Sequence, residues 1–336
     1  MYKKNISTIN ISKGIGILLV VLGHVVVPEI RQNSSIAAGL FGFIYSFHMP
    51  LFIAISGFLF ELYLEKYIRK GFRVFFLAKF RTLIIPYICL SIFSYVGINA
   101  AFHIPTLSGV LRNAGYQSTG LMESAIQILT SVQHLDKHMW FVYALFVIFI
   151  LSFTLPKLLK NPLVLLAVYL GYHYLAFLQL PEILLQIMKY LVYFNLARYT
   201  GVVQRFMDKK MLLPAATVLV VLYGFTLLNL PYVNIALDLL VAIAGSLTVL
   251  SFSALLESSK IAGYLESLGS YSYDIYLLHQ PFIVSGIAGL LLTATPLPYL
   301  LICGITLVLG IAVPILLSKY IIRRFQITRL LFLGGH

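Results

Sequence analysis

Ten stretches of this sequence are apolar over about 18 to 25 residues, the length that an α-helix needs to cross a lipid bilayer. They lie at about 8–28, 40–64, 82–103, 138–156, 162–180, 183–201, 212–230, 233–256, 270–294 and 297–320. Membrane-spanning strands would be about ten residues long, with strict alternation of apolar and polar side chains, which these runs lack. We therefore predict an all-α fold, a polytopic transmembrane helix bundle of about ten spans.

The composition leads to the same conclusion. Of the 336 residues, 60% are hydrophobic and only 10% are charged, which is too few polar side chains to cover a soluble surface of that size. We expect residues 1–336 to form a single integral-membrane domain with no extra soluble domain. The start of the chain, MYKK before an apolar run, resembles a signal peptide. Because Lys13 interrupts that run and no cleavage site follows, we expect an uncleaved signal-anchor helix.

The distribution of basic residues predicts how the bundle is oriented. The formal net charge is +13, but the lysines and arginines cluster in alternate short loops between the apolar runs. With the N-terminus inside, the outer segments hold only Arg31, Arg112 and Lys137, and the inner segments hold most of the others. This is the positive-inside bias of membrane proteins. It predicts two cytoplasmic termini and a multi-pass protein of the cell membrane, in a bacterium the plasma membrane, and it argues against a nucleic-acid partner.

The first two apolar runs carry ionisable groups where a lipid-facing helix would have none. Lys13 and His24 share one face of a helix, about 16 Å apart. In the second run, His48 stands two residues before Pro50, which predicts a kink, and Ser56 follows further along. Ionisable side chains inside a bilayer usually face a bundle interior or a wet cavity. We therefore predict a polar pocket walled by these two helices.

Further polar side chains lie in later runs. Trp140, the only tryptophan, stands at the start of the fourth run, where it is either an interfacial anchor or part of the site. His134 and His138 are four residues apart and could form a metal pair. With no third ligand at a recognisable spacing, we predict no metal site.

Two cations, Lys189 and Arg198, lie in the sixth run, and Asp238 in the eighth is a possible partner for one of them.

The ninth run, SYSYDIYLLHQPF, carries a polar stripe. Ser272, Tyr276 and His279 are spaced at i, i+4 and i+7, so they share one helix face. Such a stripe lines a cavity more often than it faces lipid. Asp274 points elsewhere, towards another helix.

The segment at about 65–81, EKYIRKGFRVFFLAKFR, mixes aromatic side chains with six cations. It is a candidate amphipathic segment at the membrane surface. Two interpretations stay open: contact with anionic lipids that fixes the orientation, or a mouth that attracts a polyanionic cytosolic substrate. The outer segment at about 104–137 contains a short helical pattern, MESAIQILTSVQ. No G-x-S-x-G elbow, phosphate-binding loop or dinucleotide motif is present.

Taken in order, these motifs resemble the acyltransferase type 3 family of integral membrane acyltransferases, in particular its short members that are similar to fucose 4-O-acetylases. The resemblance extends from residue 10 to about residue 283. It is carried by Lys13 and His24 with LLVVLGH, then by FHMPLFIAISGFLF, RTLIIPY, MWFVYALF and IYLLHQPF.

The resemblance implies transfer of an acyl group, usually acetyl, from cytoplasmic acetyl-CoA to a hydroxyl of a cell-surface or exported carbohydrate. Acyl-CoA would be a co-substrate, with no permanently bound cofactor. His24 would act as the general base. The expected substrate-binding residues are Lys13 and Arg81, which would hold phosphates of CoA, and His48, Ser56, Trp140, Tyr276 and His279, which would shape the pocket or stabilise the oxyanion.

The expected partners are acyl-CoA, a carbohydrate or glycolipid acceptor and membrane lipids, with polysaccharide-assembly proteins as further candidates. The sequence departs from the family pattern at two positions: Asn10 stands where members commonly have an acidic residue, and Lys13 where many have arginine. A scheme that relays protons through that acid is therefore in doubt here. Two other functions stay open. One is a transporter or flippase of a polar or lipid-linked glycan, and the other is a structural subunit of a polysaccharide-assembly complex.

Overall fold

The computed structural model describes residues 2–113, 116–131, 138–228 and 231–335. All regular secondary structure within these residues is helical. In chain order the helices are α1 (Tyr2–Val25), α2 (Pro28–Asn33), α3 (Ser35–Lys70), α4 (Phe72–Lys79), α5 (Ile85–Phe102), α6 (Pro105–Asn113), α7 (Leu121–Thr130), α8 (Trp140–Thr154), α9 (Pro162–Ala176), α10 (Glu182–Leu196), α11 (Thr200–Arg205), α12 (Leu212–Thr226), α13 (Pro231–Leu256), α14 (Ala262–Ser270), α15 (Ser272–Leu278), α16 (Val284–Ala294), α17 (Tyr299–Tyr320) and α18 (Gln326–Leu333). A π-helical turn, Phe80–Ile84, joins α4 to α5.

Within the described residues, six helical stretches are long and apolar enough to cross a membrane. They are Ile6–Val25, Ser35–Lys70, Phe72–Phe102, Lys209–Thr226, Val233–Leu256 and Tyr299–Arg324. The chain is thus an all-helical, multi-pass membrane protein. The runs predicted at 138–156, 162–180 and 183–201 correspond to α8, α9 and α10, which have 15 residues each. A helix of that length measures about 22 Å, less than the ~30 Å hydrocarbon core, so the count of ten spans stays a prediction. The orientation across the membrane also stays a prediction.

The first helix lies at the centre of the bundle, against α3, α13, α14, α15 and α17. Two glycines allow its backbone to touch α14. A Cβ atom on Gly14 would lie 2.3 Å from the carbonyl oxygen of Leu265, and one on Gly269 would lie 1.9 Å from that of Asn10. The hydroxyl of Ser7 also donates to the carboxylate of Glu266. These contacts hold α1 at a fixed height against the later helices.

The second long helix, α3, runs through 36 residues without a break at Pro50. It is about 54 Å long, so it extends beyond a ~30 Å hydrocarbon core. Its first turn is capped by the hydroxyl of Ser34, which accepts from the backbone N–H of Ala37 at 3.2 Å. At Gly57 the helix meets the backbone of α10, because a Cβ atom there would lie 2.0 Å from the carbonyl oxygen of Phe194.

A buried ion pair links α3 to the residues that follow α10. The Nε atom of Arg198 donates to Glu61 Oε2 at 2.8 Å, and Lys160 Nζ lies 2.5 Å from Glu61 Oε1. Arg198 also donates to the carbonyl oxygen of Pro156 at 3.1 Å and to Asn195 Oδ1 at 2.9 Å. Asp238 is therefore not the partner of Arg198; Glu61 takes that place.

The run predicted at 270–294 is discontinuous. Helix α15 ends at Leu278, and α16 begins at Val284 after a segment that contains a cis peptide bond between Gln280 and Pro281. The backbone N–H of Val284 donates to the carbonyl oxygen of His279 at 2.8 Å. The break places His279 at the C-terminal end of α15.

The two long polar segments are also largely helical. Within 65–81, the first residues continue α3 to Lys70, and Gly71, with φ 83°, separates them from α4. In the outer segment, the predicted short helix is α7 (Leu121–Thr130). Residues 132–137 lie outside the described residues.

Candidate active site

A cavity of about 180 Å³, here called the chamber, lies between α1, α3, α8 and α15. Three of the predicted site residues line it: Lys13 from α1, Ser56 from α3 and Tyr276 from α15. Ser272 and Tyr273 add further hydroxyl groups, as the stripe on the ninth run predicted for Ser272. The remaining walls are apolar and comprise Met49, Phe52, Ile55, Leu59, Phe141 and Leu145. A single cation therefore faces a small, mainly apolar space.

Three histidine rings meet beside Tyr276 and are here called the histidine cluster. His24 lies near the end of α1, His138 directly precedes α8, and His279 follows α15. The ring centroids of His24 and His279 are 5.0 Å apart, those of His138 and His279 5.1 Å, and those of His24 and His138 6.5 Å. His279 is fully buried, His138 is buried and His24 is half-buried. His24 is thus the ring of the cluster that a substrate can approach most easily.

Backbone carbonyls determine which ring nitrogen carries the proton. A carbonyl oxygen can only accept, so an imidazole nitrogen beside it must be the N–H donor. Nδ1 of His24 lies 2.9 Å from the carbonyl oxygen of Val20. Nδ1 of His279 lies 2.8 Å from that of Tyr276. In the neutral rings, both Nε2 atoms are therefore unprotonated acceptors.

This assignment gives the contact between the two rings a direction. Nε2 of His279 lies 3.4 Å from Nδ1 of His24, at the long end of hydrogen-bond range. The Nδ1–H of His24 therefore faces two acceptors, the carbonyl oxygen of Val20 and Nε2 of His279. Both acceptors hold the His24 ring in one tautomer and one orientation. In this tautomer the basic lone pair of His24 is on Nε2.

Tyr276 connects the chamber to the histidine cluster. Its hydroxyl donates to the backbone carbonyl oxygen of His138, and its ring centroid lies 5.2 Å from the His138 ring. The phenolic proton is committed to that carbonyl, so in this structure Tyr276 positions His138 rather than offering a donor to an oxyanion. Lys13 and His24 are on the face of α1 that meets α15, as their spacing predicted.

His48 joins the cluster through an aromatic neighbour. Its ring centroid lies 4.6 Å from that of Tyr45, and Tyr45 lies 6.3 Å from His24. Nδ1 of His48 contacts the carbonyl oxygen of Ile44 at 2.8 Å, so its Nε2 atom is also an acceptor. Pro50 has no N–H to donate to the carbonyl oxygen of Ser46, four residues earlier. The His48 ring contacts the carbonyl oxygen of Ile44 instead, so it does not replace the hydrogen bond that the proline removes.

Two predicted residues lie outside the chamber. Arg81 is exposed, in the π-helical turn before α5, where its guanidinium is packed against Gly335. Its neighbour Thr82 accepts a 2.6 Å hydrogen bond from the hydroxyl of Tyr273, which does line the chamber. Trp140, the first residue of α8, has its ring centroid 5.0 Å from that of Tyr190. Arg81 is therefore one residue from Thr82, which contacts the chamber wall. Trp140 stands two residues after His138 of the histidine cluster.

Comparison with known families decides what kind of protein carries this site. A family model described as an acyltransferase domain matches residues 6–318, nearly the whole chain. The chain belongs to the acyltransferase type 3 family. Among curated proteins and among solved structures, no significant match is found.

In this acyltransferase type 3 protein, two residues next to His24 were not predicted as part of the site. The sequence singled out His138 only as a possible metal ligand, and Tyr45 carried no signal beyond its place three residues before His48. Both are brought to His24 by tertiary packing across helices, which spacing along one helix cannot show.

The polar groups predicted elsewhere have other partners. As expected, Asp274 points away from the chamber: its carboxylate accepts from Ser318 and from Arg323, at 2.8 Å from NH2 of Arg323. For the predicted metal pair, His134 lies outside the described residues. Within the part of the chain that the structure describes, no three His, Cys, Asp or Glu side chains converge as metal ligands.

Proposed function

We propose that this acyltransferase type 3 protein moves an acetyl group from acetyl-CoA to a hydroxyl of a cell-surface or exported carbohydrate. The observation that carries the proposal is the His24 ring. Its Nδ1–H faces Val20 and His279, so the basic lone pair is on Nε2, and the histidine cluster that contains this ring adjoins Tyr276 of the chamber wall. Neutral imidazole is a common general base in enzymes, because it can take a proton from a hydroxyl that attacks a carbonyl carbon.

The size of the chamber limits which part of the donor it holds. Ligand pockets for whole drug-sized molecules are about 300–1,000 Å³, and the chamber is about 180 Å³. We propose that it takes the thioester and part of the narrow pantetheine arm, and that the nucleotide stays outside. Lys13 supplies a positive charge inside the chamber. Arg81 is next to Thr82, whose carbonyl oxygen accepts a hydrogen bond from Tyr273 of the chamber wall.

In the proposed reaction, the acceptor hydroxyl lies between His24 Nε2 and the thioester carbonyl carbon. The proton passes from the hydroxyl to Nε2 while the oxygen forms the new C–O bond. The C–S bond then breaks, and the proton on His24 goes to the departing CoA sulfur. Nε2 of His279 accepts a hydrogen bond from the Nδ1–H of the resulting imidazolium. This hydrogen bond stabilises the positive charge on His24 during transfer.

The proposal includes a direction across the cell membrane. We propose that the end of the bundle at Lys13 and Arg81 faces the cytoplasm, where acyl-CoA is made, because the basic segments cluster at that end. The histidine cluster would then lie towards the outer side, where the carbohydrate acceptor arrives. A site open to donor and acceptor from opposite sides explains why the polar residues follow one line through the bundle.

Purified protein in lipid nanodiscs tests the proposal directly. We expect it to consume acetyl-CoA labelled in the acetyl group and to pass the label to a carbohydrate acceptor, or slowly to water when no acceptor is present. Failure to bind or consume acetyl-CoA would contradict the assigned donor. Another acyl-CoA would then be the next donor to test.

One observation favours a second candidate, a transporter or flippase of a polar or lipid-linked glycan. The break between α15 and α16 at the histidine cluster resembles the discontinuous helices on which transporters build their substrate sites. This candidate predicts that protein in liposomes moves a labelled glycolipid across the bilayer without any acyl donor. It also predicts that neither the wild type nor the His24→Ala variant consumes acetyl-CoA above background.

A further inference from the structure

A second group of polar side chains lies where α9, α10 and α13 pack together. It is formed by Tyr172 and His173 of α9, Lys189 and Tyr190 of α10, and Asp238 of α13, and is here called the α9–α10–α13 cluster. Leu239, the residue after Asp238, packs in one apolar group with Tyr172 of α9 and Leu196 of α10. None of these residues takes part in the proposed proton transfer.

The Lys189 and Asp238 pair differs from the other ion pairs of the bundle. Arg198 contacts Glu61, and Arg323 contacts Asp274, each at 2.8 Å. By contrast, neither Lys189 nor Asp238 makes a side-chain hydrogen bond or an ion pair within 4.0 Å to any described residue, although charges inside a membrane usually pair. Asp238 is exposed and Lys189 is partly exposed. A cation and an anion with unused hydrogen-bonding capacity therefore lie on packed helices at the surface of the bundle.

Aromatic rings surround this pair. The Nζ atom of Lys189 lies 5.8 Å from the ring centroid of Tyr172 and 6.0 Å from that of Tyr190. The rings of Tyr172 and His173 are 4.6 Å apart. The Nε2 atom of His173 is buried and has no hydrogen-bond partner among the described residues. The arrangement combines flat apolar faces with a donor, an acceptor and an unsatisfied ring nitrogen.

Contacts also connect the α9–α10–α13 cluster to the proposed base. Trp140 stacks near Tyr190 with 5.0 Å between ring centroids, and it stands two residues after His138. A ligand on this cluster would therefore lie next to Trp140, two residues from the histidine cluster.

We propose that the α9–α10–α13 cluster, with Trp140, binds the saccharide acceptor. A sugar ring has a C–H face that packs on aromatic rings and a rim of hydroxyls that both donate and accept hydrogen bonds. Asp238 accepts from such hydroxyls, and Lys189 donates to them. This inference rests on the proposed function for the role of the saccharide as acceptor. Binding itself needs no acyl donor and is measured separately.

The sequence provides a probe at the proposed site, because Trp140 is the only tryptophan in the chain. With excitation that tyrosine does not absorb, the fluorescence of protein in detergent micelles reports Trp140 alone. The ligands to titrate are soluble oligosaccharides of hexoses and of N-acetylhexosamines, with prenyl phosphate as a lipid lacking a sugar. We expect at least one oligosaccharide to change the fluorescence saturably, with no acetyl-CoA present.

Two pairs of variants make the test specific. Lys189→Gln and Asp238→Asn should each weaken oligosaccharide binding about tenfold, as expected when one hydrogen bond to a charged group is lost. Lys209→Gln and Asp208→Asn make the same chemical changes at exposed positions before α12 and should bind as the wild type does. In turnover assays, the first pair should raise KM for the acceptor and leave KM for acetyl-CoA unchanged.

The two proposals can fail independently. If His24→Ala abolishes acetyl transfer but keeps the fluorescence response, both are supported. Saccharide binding without acetyl-CoA turnover by the wild type would contradict the assigned acetyl donor and leave the binding site in place. If Lys189→Gln and Asp238→Asn bind oligosaccharides as tightly as the wild type, or if only prenyl phosphate gives a response, the saccharide site is overturned.

Discussion

Nε2 of His279 lies 3.4 Å from Nδ1 of His24, across the interface between α15 and α1. Because Nδ1 of His279 already faces the carbonyl oxygens of Ile275 and Tyr276, its Nε2 can only accept in the neutral ring. His279 is fully buried. In the proposed reaction, His279 would therefore be a positioning residue that acts through His24.

Substitution of His279 should lower kcat without weakening donor binding. His279→Leu removes the acceptor, and we expect kcat to fall by up to about 100-fold because the His24 ring loses its fixed orientation. His279→Gln keeps an acceptor oxygen and should recover part of the rate. KM for acetyl-CoA should stay at the wild-type value in both variants. Equal loss in the two variants, or a rise in that KM, would show a structural role instead.

Lys13 should affect the donor rather than the chemical step. It is the one basic residue among the described residues that line the chamber. We expect Lys13→Met to raise KM for acetyl-CoA by about tenfold, the cost of one hydrogen bond to a charged group. Lys13→Arg should stay closer to the wild type because the positive charge is kept. Lys210→Met, an exposed site elsewhere on the chain, is the control, and unaltered donor KM in Lys13→Met would argue against this role.

The sequence predicted the features of the site that depend on a single helix. Lys13 and His24 share a face because α1 is continuous, and Ser272, Tyr276 and His279 form a stripe on one side of α15 and its end. The break between α15 and α16 was not predicted. The break contains only two polar residues, His279 and Gln280, between long apolar stretches, so hydropathy alone gives one uninterrupted run.

Partners on distant segments could not be predicted in the same way. Glu61 is 137 residues from Arg198 along the chain, and the sequence analysis offered only Asp238, as a partner for Lys189 or Arg198. The approach of His138 to His24 likewise depends on how α8 packs against α1. Such pairings follow from tertiary packing, for which one sequence contains no periodic signal.

The Arg198 to Glu61 pair should stabilise the fold without taking part in turnover. The Arg198 side chain is 1% exposed and that of Glu61 17%. Arg198→Met leaves a partly buried carboxylate with one fewer partner, so the loss should approach the lower end of the ~3–5 kcal/mol that breaking a buried pair costs. Unfolding in mixed detergent should show that the Arg198→Met/Glu61→Met double variant loses less unfolding free energy than the sum of the losses in the two single variants. Strictly additive losses would mean that the contact contributes nothing.

A matched pair of glycines tests the close approach of α3 and α10. Gly57→Ala would place a Cβ atom 2.0 Å from the carbonyl oxygen of Phe194, so the two backbones must separate. We expect a loss of about 1–3 kcal/mol, the usual cost of overpacking. Gly201→Ala has no atom within 4 Å of the new Cβ and should be neutral or slightly stabilising. Thermal unfolding of both variants, compared with the wild type, distinguishes a specific clash from a general intolerance of alanine. Similar behaviour of the two variants would contradict the packing described here.

The role of His24 is the central claim, and transfer of labelled acetyl groups by His24→Ala tests it most directly. His103→Ala is the matched control, since Nδ1 of His103 contacts the carbonyl oxygen four residues earlier at 2.8 Å, as in His24, but at an exposed site. With equal amounts of folded protein, we expect His24→Ala to lose about 100-fold or more of the transfer rate, the usual contribution of a general base, and His103→Ala to match the wild type. Transfer by His24→Ala at the wild-type rate would show that the base is another residue.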